Sequence, residues 1–240
     1  MAQQELDDRF VLDGWDIGGL EIESVNLNDF NFCDDYFEET RYVKPKLFAL
    51  KSSQILYDNA VQLAQTTDLW ETKRYDVIVN GNFIFGDYIE AFLKTYNVKC
   101  LKMTLSTLSL SQENVDSLEN LIRGGYIEQL DLIVSAYFYS HERSSLIPYI
   151  YKNLDIDNRF QLAVAGIHTK TCSFQTLGGR FVVIHGSANM RSSGNIEQIT
   201  IEENSELYNF YDSIFSNIVE RYKTINKPIR GKQVWEAINK

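Results

Sequence analysis

The chain has little of what builds several common protein classes. It carries three cysteines, Cys33, Cys100 and Cys172, with no CxxC spacing. Free thiols in a reducing compartment fit that pattern; a disulfide framework or a cysteine zinc site does not. Only three prolines occur in 240 residues, against 44% hydrophobic and 13% aromatic content, which excludes a low-complexity or disordered chain. Apolar runs are short, as in VIV at 77–79 and FVVI at 181–184, far below the roughly 20 residues of a membrane helix. With no amphipathic membrane-binding stretch either, no membrane partner is expected. The opening MAQQELDDRF lacks the basic start and apolar stretch of a secretory signal, so a cytoplasmic location is expected.

Basic residues are scarce at one end and acidic residues at the other. Residues 1–40 hold twelve acidic side chains against Arg9 alone, while the other 200 residues hold 22 basic and 21 acidic, so the net charge of -10 belongs to the N-terminal segment. In the last twenty residues Arg221, Lys223, Lys227, Arg230, Lys232 and Lys240 face only Glu236. Such ends suit pairing with each other, within or between subunits, and the tail suits nucleic acid phosphates; two solvated ends is the competing reading.

Residues 1–45 mix acids with Phe10, Trp15, Leu20, Phe30, Phe32, Tyr36 and Phe37 without a clean period. They read as an irregular acidic arm that docks on a partner. Apolar spacing from Phe48 to Trp70 predicts a helix, capped at Ser52 or Ser53. Strands and helices then alternate: a strand over 76–81, a helix over 86–96, a strand over 98–106, and a helix with Ser111 as N-cap and Gly124-Gly125 as its stop. A third strand lies within 127–139 and a helix over 144–154. Two strands, RFQLAVAGIHTKTCSF and GRFVVIHGSAN, are joined by the Gly178-Gly179 turn. A strand over 195–203 and a long final helix complete an α/β sheet layered with helices. The domain spans 46–225, leaving a basic tail over 226–240.

The chemistry gathers between His168 and Asn189. His168 and Lys170 are two apart on a predicted strand, so both leave one face. Ser187 and Asn189 are two apart at the end of the next, where Gly186 allows a ligand close to the backbone. An imidazole, an ammonium, a hydroxyl and a carboxamide on one patch suit a phosphodiester. Lysine supplies compact positive charge, Ser and Asn donate to the non-bridging oxygens, and His can attack phosphorus or shuttle a proton near neutrality. HxK or GSxN alone is a weak signal, and their order on adjacent strands carries the weight.

These residues resemble the half-site of the phospholipase D superfamily: HxK, an acid after four intervening positions, then GSxN on the following strand. His168-Thr169-Lys170 and Gly186-Ser187-Ala188-Asn189 match its ends, and Asn195-Ile196-Glu197 is similar to the N-x-E element that often follows. Gln175 stands where the acid is usual, and fifteen residues separate Lys170 from Gly186. The resemblance covers roughly Asp76 to Tyr222 and is nearest to single-motif, nuclease-like members, including those of phages and mobile elements. It implies a phospholipase D-like mixed sheet flanked by helices and a two-step phosphodiesterase mechanism without metal or cofactor, through a phosphohistidine. With one HxK in the chain, it implies a homodimer that places His168 of each subunit across a shared phosphate. Lys170 and Asn189 would serve catalysis; Ser187, Gly186 and Glu197 would bind phosphate. Nucleic acid, DNA above RNA, is the expected substrate. The alternatives are a catalytically silent nucleic-acid-binding or assembly protein and a lipid phosphodiesterase.

Other residues carry two readings each. His185 shares the periodicity of Ser187, yet a satisfied sheet histidine is the more ordinary role. His168, Cys172 and His185 lack a fourth zinc ligand. His141-Glu142-Arg143 suits a groove rim or a solvated helix start. Tyr137 and Tyr139 suit base stacking or sheet packing. Trp235 suits DNA, a dimer contact or an amphipathic cap.

Overall fold

Short apolar runs bounded by turns become strands here, and apolar positions at three-to-four spacing become the helices that cover them. The computed structural model describes residues 52–57, 59–68, 73–80, 83–191 and 195–224, the first range by its backbone alone. The chain divides into two units, Met1–Arg41 and Tyr42–Lys240, and every described residue belongs to the second. The acidic arm over 1–45, the basic tail over 226–240, Cys33 and Trp235 lie outside the described residues.

The strands are β1 (Ser52–Tyr57), β2 (Arg74–Val79), β3 (Cys100–Thr107), β4 (Leu130–Ser135), β5 (Phe160–Ala165), β6 (Thr171–Thr176), β7 (Phe181–Gly186) and β8 (Glu197–Glu203). The helices are α1 (Ala60–Thr66), α2 (Phe85–Thr95), α3 (Gln112–Arg123), α4 (Ala136–His141), α5 (Leu146–Leu154) and α6 (Ser205–Tyr222). The strands form one mixed sheet in the order β1-β2-β8-β7-β6-β3-β4-β5. β1 and β2 are parallel, as are β3, β4 and β5, while β6 and β8 run antiparallel to both their neighbours. The expected mixed sheet flanked by helices is what the chain forms. Among the described residues no helix is long and apolar enough to cross a membrane.

Strand alternation sorts the two faces. Val77, Met103, Leu105, Leu132, Leu162, Phe174, Ile184 and Ile201 are buried with Leu63, Tyr88, Phe92, Leu118 and Ile150 in one core cluster, under α1, α2, α3 and α5. Residues of the other phase include many polar ones: Thr104, Ser106, Asp131, Thr171, Ser173, Thr200 and Glu202 are buried too, beside Ile133, Ala163 and Val183. On this face Phe181 meets Tyr208, and His185 lies near Tyr211, both tyrosines from α6. Buried polar groups need partners. Thr200 Oγ1 donates to Asp76 at 2.9 Å, and Lys102 Nζ lies 3.6 Å from Asp131 and 3.1 Å from Asp212. Asparagine side chains cap two helix starts: Asn59 caps α1 by accepting from Val61 and Gln62, and Asn204 caps α6 by accepting from Leu207 at 3.0 Å.

Three expectations are corrected. The helix expected from Phe48 is a strand, β1, followed by the short α1, so the cap is Asn59 and neither Ser52 nor Ser53. β-branched and aromatic residues around Ile55 and Tyr57 fit a strand as well as a helix, and pairing with β2 decides the matter. The strand within 127–139 stops at Ser135, whose hydroxyl accepts from the Phe138 N–H at 3.0 Å and starts α4. Tyr137 and Tyr139 are therefore helical. Finally, RFQLAVAGIHTKTCSF is two strands on different parts of the sheet, β5 and β6, with residues 166–170 between them.

Candidate functional site

The sheet directions bring the candidate residues to one edge. Strands β2, β3, β4, β5 and β7 end there, and β6 and β8 begin there. This is the edge outside the carboxyl ends of parallel strands, where α/β sheets hold ligands. β5 lies at the sheet margin and β6 three places inward, with β4 and β3 between. That separation is about 14 Å at roughly 4.8 Å per strand, which the five linking residues bridge with length to spare, the Ile167 N–H turning back to the Ala165 carbonyl at 2.9 Å. Ser106, at the end of β3, fastens them: its hydroxyl donates to the Thr169 carbonyl at 3.1 Å and meets the Thr169 hydroxyl. Ser106 was not legible as a site residue in sequence, since only the topology puts it beneath the linker.

His168 and Lys170 thus stand on the linker between β5 and β6, and not on a strand as expected. His168 is exposed and Lys170 half-buried. Lys170 Nζ lies 3.1 Å from His168 Nδ1 and donates to the His168 carbonyl at 2.9 Å. An ammonium has donors only, so Nδ1 accepts from it and the neutral ring carries its hydrogen on Nε2. Burial lowers the lysine's pKa below its ordinary range, opposed by the nearby Glu197 carboxylate. A cation short of solvation is suited to an anionic ligand.

The second half of the site is joined to the first through the backbone. Thr171 pairs with His185 across β6 and β7, as the Gly178-Gly179 turn predicts, and one step further the Gly186 N–H donates to the Lys170 carbonyl at 3.2 Å. Ser187 is exposed and half-buried Glu197 is its hydroxyl's acceptor; the Gln198 N–H donates to the same hydroxyl at 2.9 Å. The sheet itself requires the glycine at 186. A Cβ there would lie 2.1 Å from the Gln198 carbonyl oxygen and 2.8 Å from Ile199 Cα. The backbone that comes close is β8, and no ligand is needed to explain the glycine.

Asn189 is half-buried, and its Oδ1 is buried without a hydrogen-bond partner. It lines a water-sized recess with Arg191, Asn195, Glu197 and Phe83. Its neighbour Met190 is anchored, accepting from the Ser111 N–H at 2.8 Å and donating to Thr107 Oγ1 at 3.1 Å. Arg191, exposed beside the carboxamide, adds a cation that the motif does not include. Gln175 lies five residues down β6 from Lys170, about 16 Å at strand rise, and pairs with Phe181 at the opposite end of β7.

The remaining histidines are occupied elsewhere. His185 Nε2 lies 3.5 Å from Glu202 Oε1 on the α6 face. Burial works against the Glu202 charge, but hydrogen bonds from His185 and Asn204 and the charges of His185 and Arg74 outweigh it and leave its pKa low. His141 ends α4, its Nδ1 2.7 Å from the Tyr137 carbonyl. Among the described residues no three His, Cys, Asp or Glu side chains gather as a metal site. A larger cavity, about 350 Å³, opens near the opposite edge beside Lys102, Asp131, Arg159 and Glu220. It shares no residue with the HxK and GSxN segments.

No family model and no curated protein matches the chain. Among solved structures it is similar to Nuc from Salmonella typhimurium, a phospholipase D family member, with TM-score 0.45 and 13% identity over 63% of this chain and 97% of that one. NucT from Helicobacter pylori gives 0.44 and 12% over 62% and 97%. TrmBL2, an archaeal chromatin protein with a novel mode of DNA binding, gives 0.42 and 12% over 68% of this chain and 59% of its own length. At these values the likeness carries no argument about function, which rests on the residues of the site. The Salmonella protein's own description places it in the phospholipase D family.

Proposed function

We propose that the edge formed by His168, Lys170, Ser187, Asn189 and Glu197 binds a phosphodiester of nucleic acid and cleaves it. The observation that carries this reading is the contact between the two motif halves: Lys170, short of solvation, and Ser187, held by Glu197, are brought together through the Lys170 carbonyl and the Gly186 N–H. A phosphate entering there gives the Lys170 ammonium an anionic acceptor and takes donors from the Asn189 carboxamide and, once it turns away from Glu197, the Ser187 hydroxyl.

In the reaction, phosphate draws the Lys170 ammonium off His168 Nδ1, and the ring hydrogen moves to Nδ1 to leave Nε2 as nucleophile. Nε2 attacks phosphorus, the P–O bond to the leaving nucleoside breaks, and His168 of a second copy, which enters the step as an imidazolium, gives its proton to the departing oxygen and becomes neutral. Water, deprotonated by that second ring, then attacks the phosphohistidine and frees His168 and a phosphate monoester. A two-fold dimer supplies the opposing ring, since the chain has one HxK. The chemistry is assigned to imidazole and takes no step through a metal.

A second reading, in which the same ledge grips nucleic acid phosphate without cleaving it, draws on His168 Nδ1 being held by Lys170 in the free protein. Incubation with labelled DNA in EDTA separates them. Cleavage lost in His168→Ala supports the hydrolase, and binding lost in Lys170→Ala without any cleavage supports the silent module. Basic residues around 226–240 and the neutral body favour nucleic acid as ligand only modestly by charge, so a phospholipid arm belongs in the same assay.

A further inference from the structure

Arg191 follows the Asn189 carboxamide on a backbone that is held in place. Met190, between them, accepts from the Ser111 N–H at 2.8 Å, donates to Thr107 Oγ1 at 3.1 Å and forms a bridge with Leu110. The Arg191 side chain is exposed, and among the described residues no hydrogen bond or ion pair engages its guanidinium. A solvated surface arginine would by itself mean nothing; its surroundings give it a task. It lines one recess with Asn189, Asn195 and Glu197. Asn189 Oδ1 is buried there without a donor, beside a group that carries five N–H donors in a planar fork. A buried acceptor left unpaired is costly. A guanidinium drawn over the recess supplies that oxygen with one arm and keeps the others for an anion.

Glu197 joins this recess to the phosphate ledge. The carboxylate that lines the recess also accepts from the Ser187 hydroxyl, and Ser187 follows Gly186, whose N–H donates to the Lys170 carbonyl at 3.2 Å. The same carboxylate acts on the Lys170 charge. Lys170 and Arg191 therefore share Glu197 as a neighbour. One phosphate bridging both cations would press its charge against that carboxylate, whereas two phosphates, each at its own cation, keep clear of it. Phosphates recur at every nucleotide of a nucleic acid strand, while a simple phospholipid diester offers one.

We infer that Arg191 binds the phosphate next to the one held by Lys170, so that the ledge selects a polynucleotide strand over an isolated phosphodiester. This rests on the phosphate-ledge reading, and the experiment keeps the two apart.

Binding is measured on the full chain in the His168→Ala background with EDTA, so that cleavage does not intervene. One ligand is a labelled oligothymidylate of about twelve nucleotides, titrated over a range of salt; the other is thymidylyl-thymidine, which has a single phosphodiester and is read by competition. Arg191→Ala is expected to weaken the strand about fivefold or more and to lower the slope of log affinity against log salt by about 0.7. The dinucleoside should bind as it does to the parent. Arg191→Lys, which keeps the charge, should restore the slope. Lys170→Ala should weaken both ligands. Parental affinity and slope in Arg191→Ala, with Lys170→Ala still weakened, would overturn the role of Arg191 and leave the ledge standing. Equal loss of strand and dinucleoside in Arg191→Ala, or no recovery in Arg191→Lys, would overturn the second-phosphate contact. If Lys170→Ala changes nothing, the ledge reading itself fails.

Discussion

Lys170 reaches back over its own turn to His168, meeting Nδ1 at 3.1 Å and the carbonyl at 2.9 Å. The lysine thus sets the ring's tautomer in the free protein and must let go of it when phosphate arrives. Its depressed pKa, caused by burial and opposed by Glu197, gives the first expected outcome. The protonated form binds the anion, so affinity is full below the lysine's pKa in the free site and is lost as pH rises through it. Because that value lies below the ordinary lysine range, oligonucleotide affinity falls earlier on the alkaline side than for a solvated lysine. Binding isotherms between neutral pH and pH about 10.5 check this, and Lys170→Arg, which stays charged, is expected to flatten the profile.

Gly186 is set by the β8 backbone. With the Gln198 carbonyl 2.1 Å from where a Cβ would stand, Gly186→Ala must push β7 and β8 apart where Ser187 donates its N–H to Gln198 at 2.8 Å. A loss of about 1–3 kcal/mol is expected from overpacking, read as a lower urea midpoint. Ligand affinity falls with it. An unchanged midpoint would mean that the strands are not this close.

Glu202, 1% exposed, contributes a pH-dependent stability. Its folded pKa is depressed, because contacts with His185, Asn204 and Arg74 overcome burial. Its contribution is therefore present above the unfolded glutamate value of about 4.3 and disappears as pH falls through the lower folded value. Urea midpoints measured down to pH 3 are expected to drop steeply for the parent. Glu202→Gln, less stable at neutral pH by about 1.5–3 kcal/mol, is expected to show a shallower acid limb.

Much of this architecture is visible in sequence for a simple reason. The Gly178-Gly179 turn fixes the β6–β7 register, Gly179 with φ 78°, and hydrophobic periodicity locates α2, α3 and α6. What escaped is what depends on distant pairing. The segment around Ile55 fits helix and strand alike, and its neighbour β2 decides. Gly166–Lys170 follows an apolar run and reads as its continuation; only the β6-β3-β4-β5 order turns it into a linker between separated strands. Ser106 becomes a support for Thr169 by the same order. Gln175, prominent in the motif, falls at the other end of β6, away from the chemistry.

Mixing subunits tests whether two copies share the chemistry. If cleavage requires His168 from each of two chains, an equal mixture of parent and His168→Ala that has exchanged subunits retains about a quarter of the activity of the same total of parent protein. Independent sites retain about half. Sedimentation of the parent as a monomer under assay conditions would contradict the shared site.

The most direct test of the phosphodiester ledge combines cleavage and binding on one substrate. A labelled single-stranded oligonucleotide is incubated in EDTA with the parent, His168→Ala and Lys170→Ala, while affinity is read in parallel. The parent is expected to cleave with metal chelated. His168→Ala should lower the rate by about a hundredfold or more, and Lys170→Ala should weaken binding. Cleavage by His168→Ala at the parental rate, together with parental affinity in Lys170→Ala, would contradict the account.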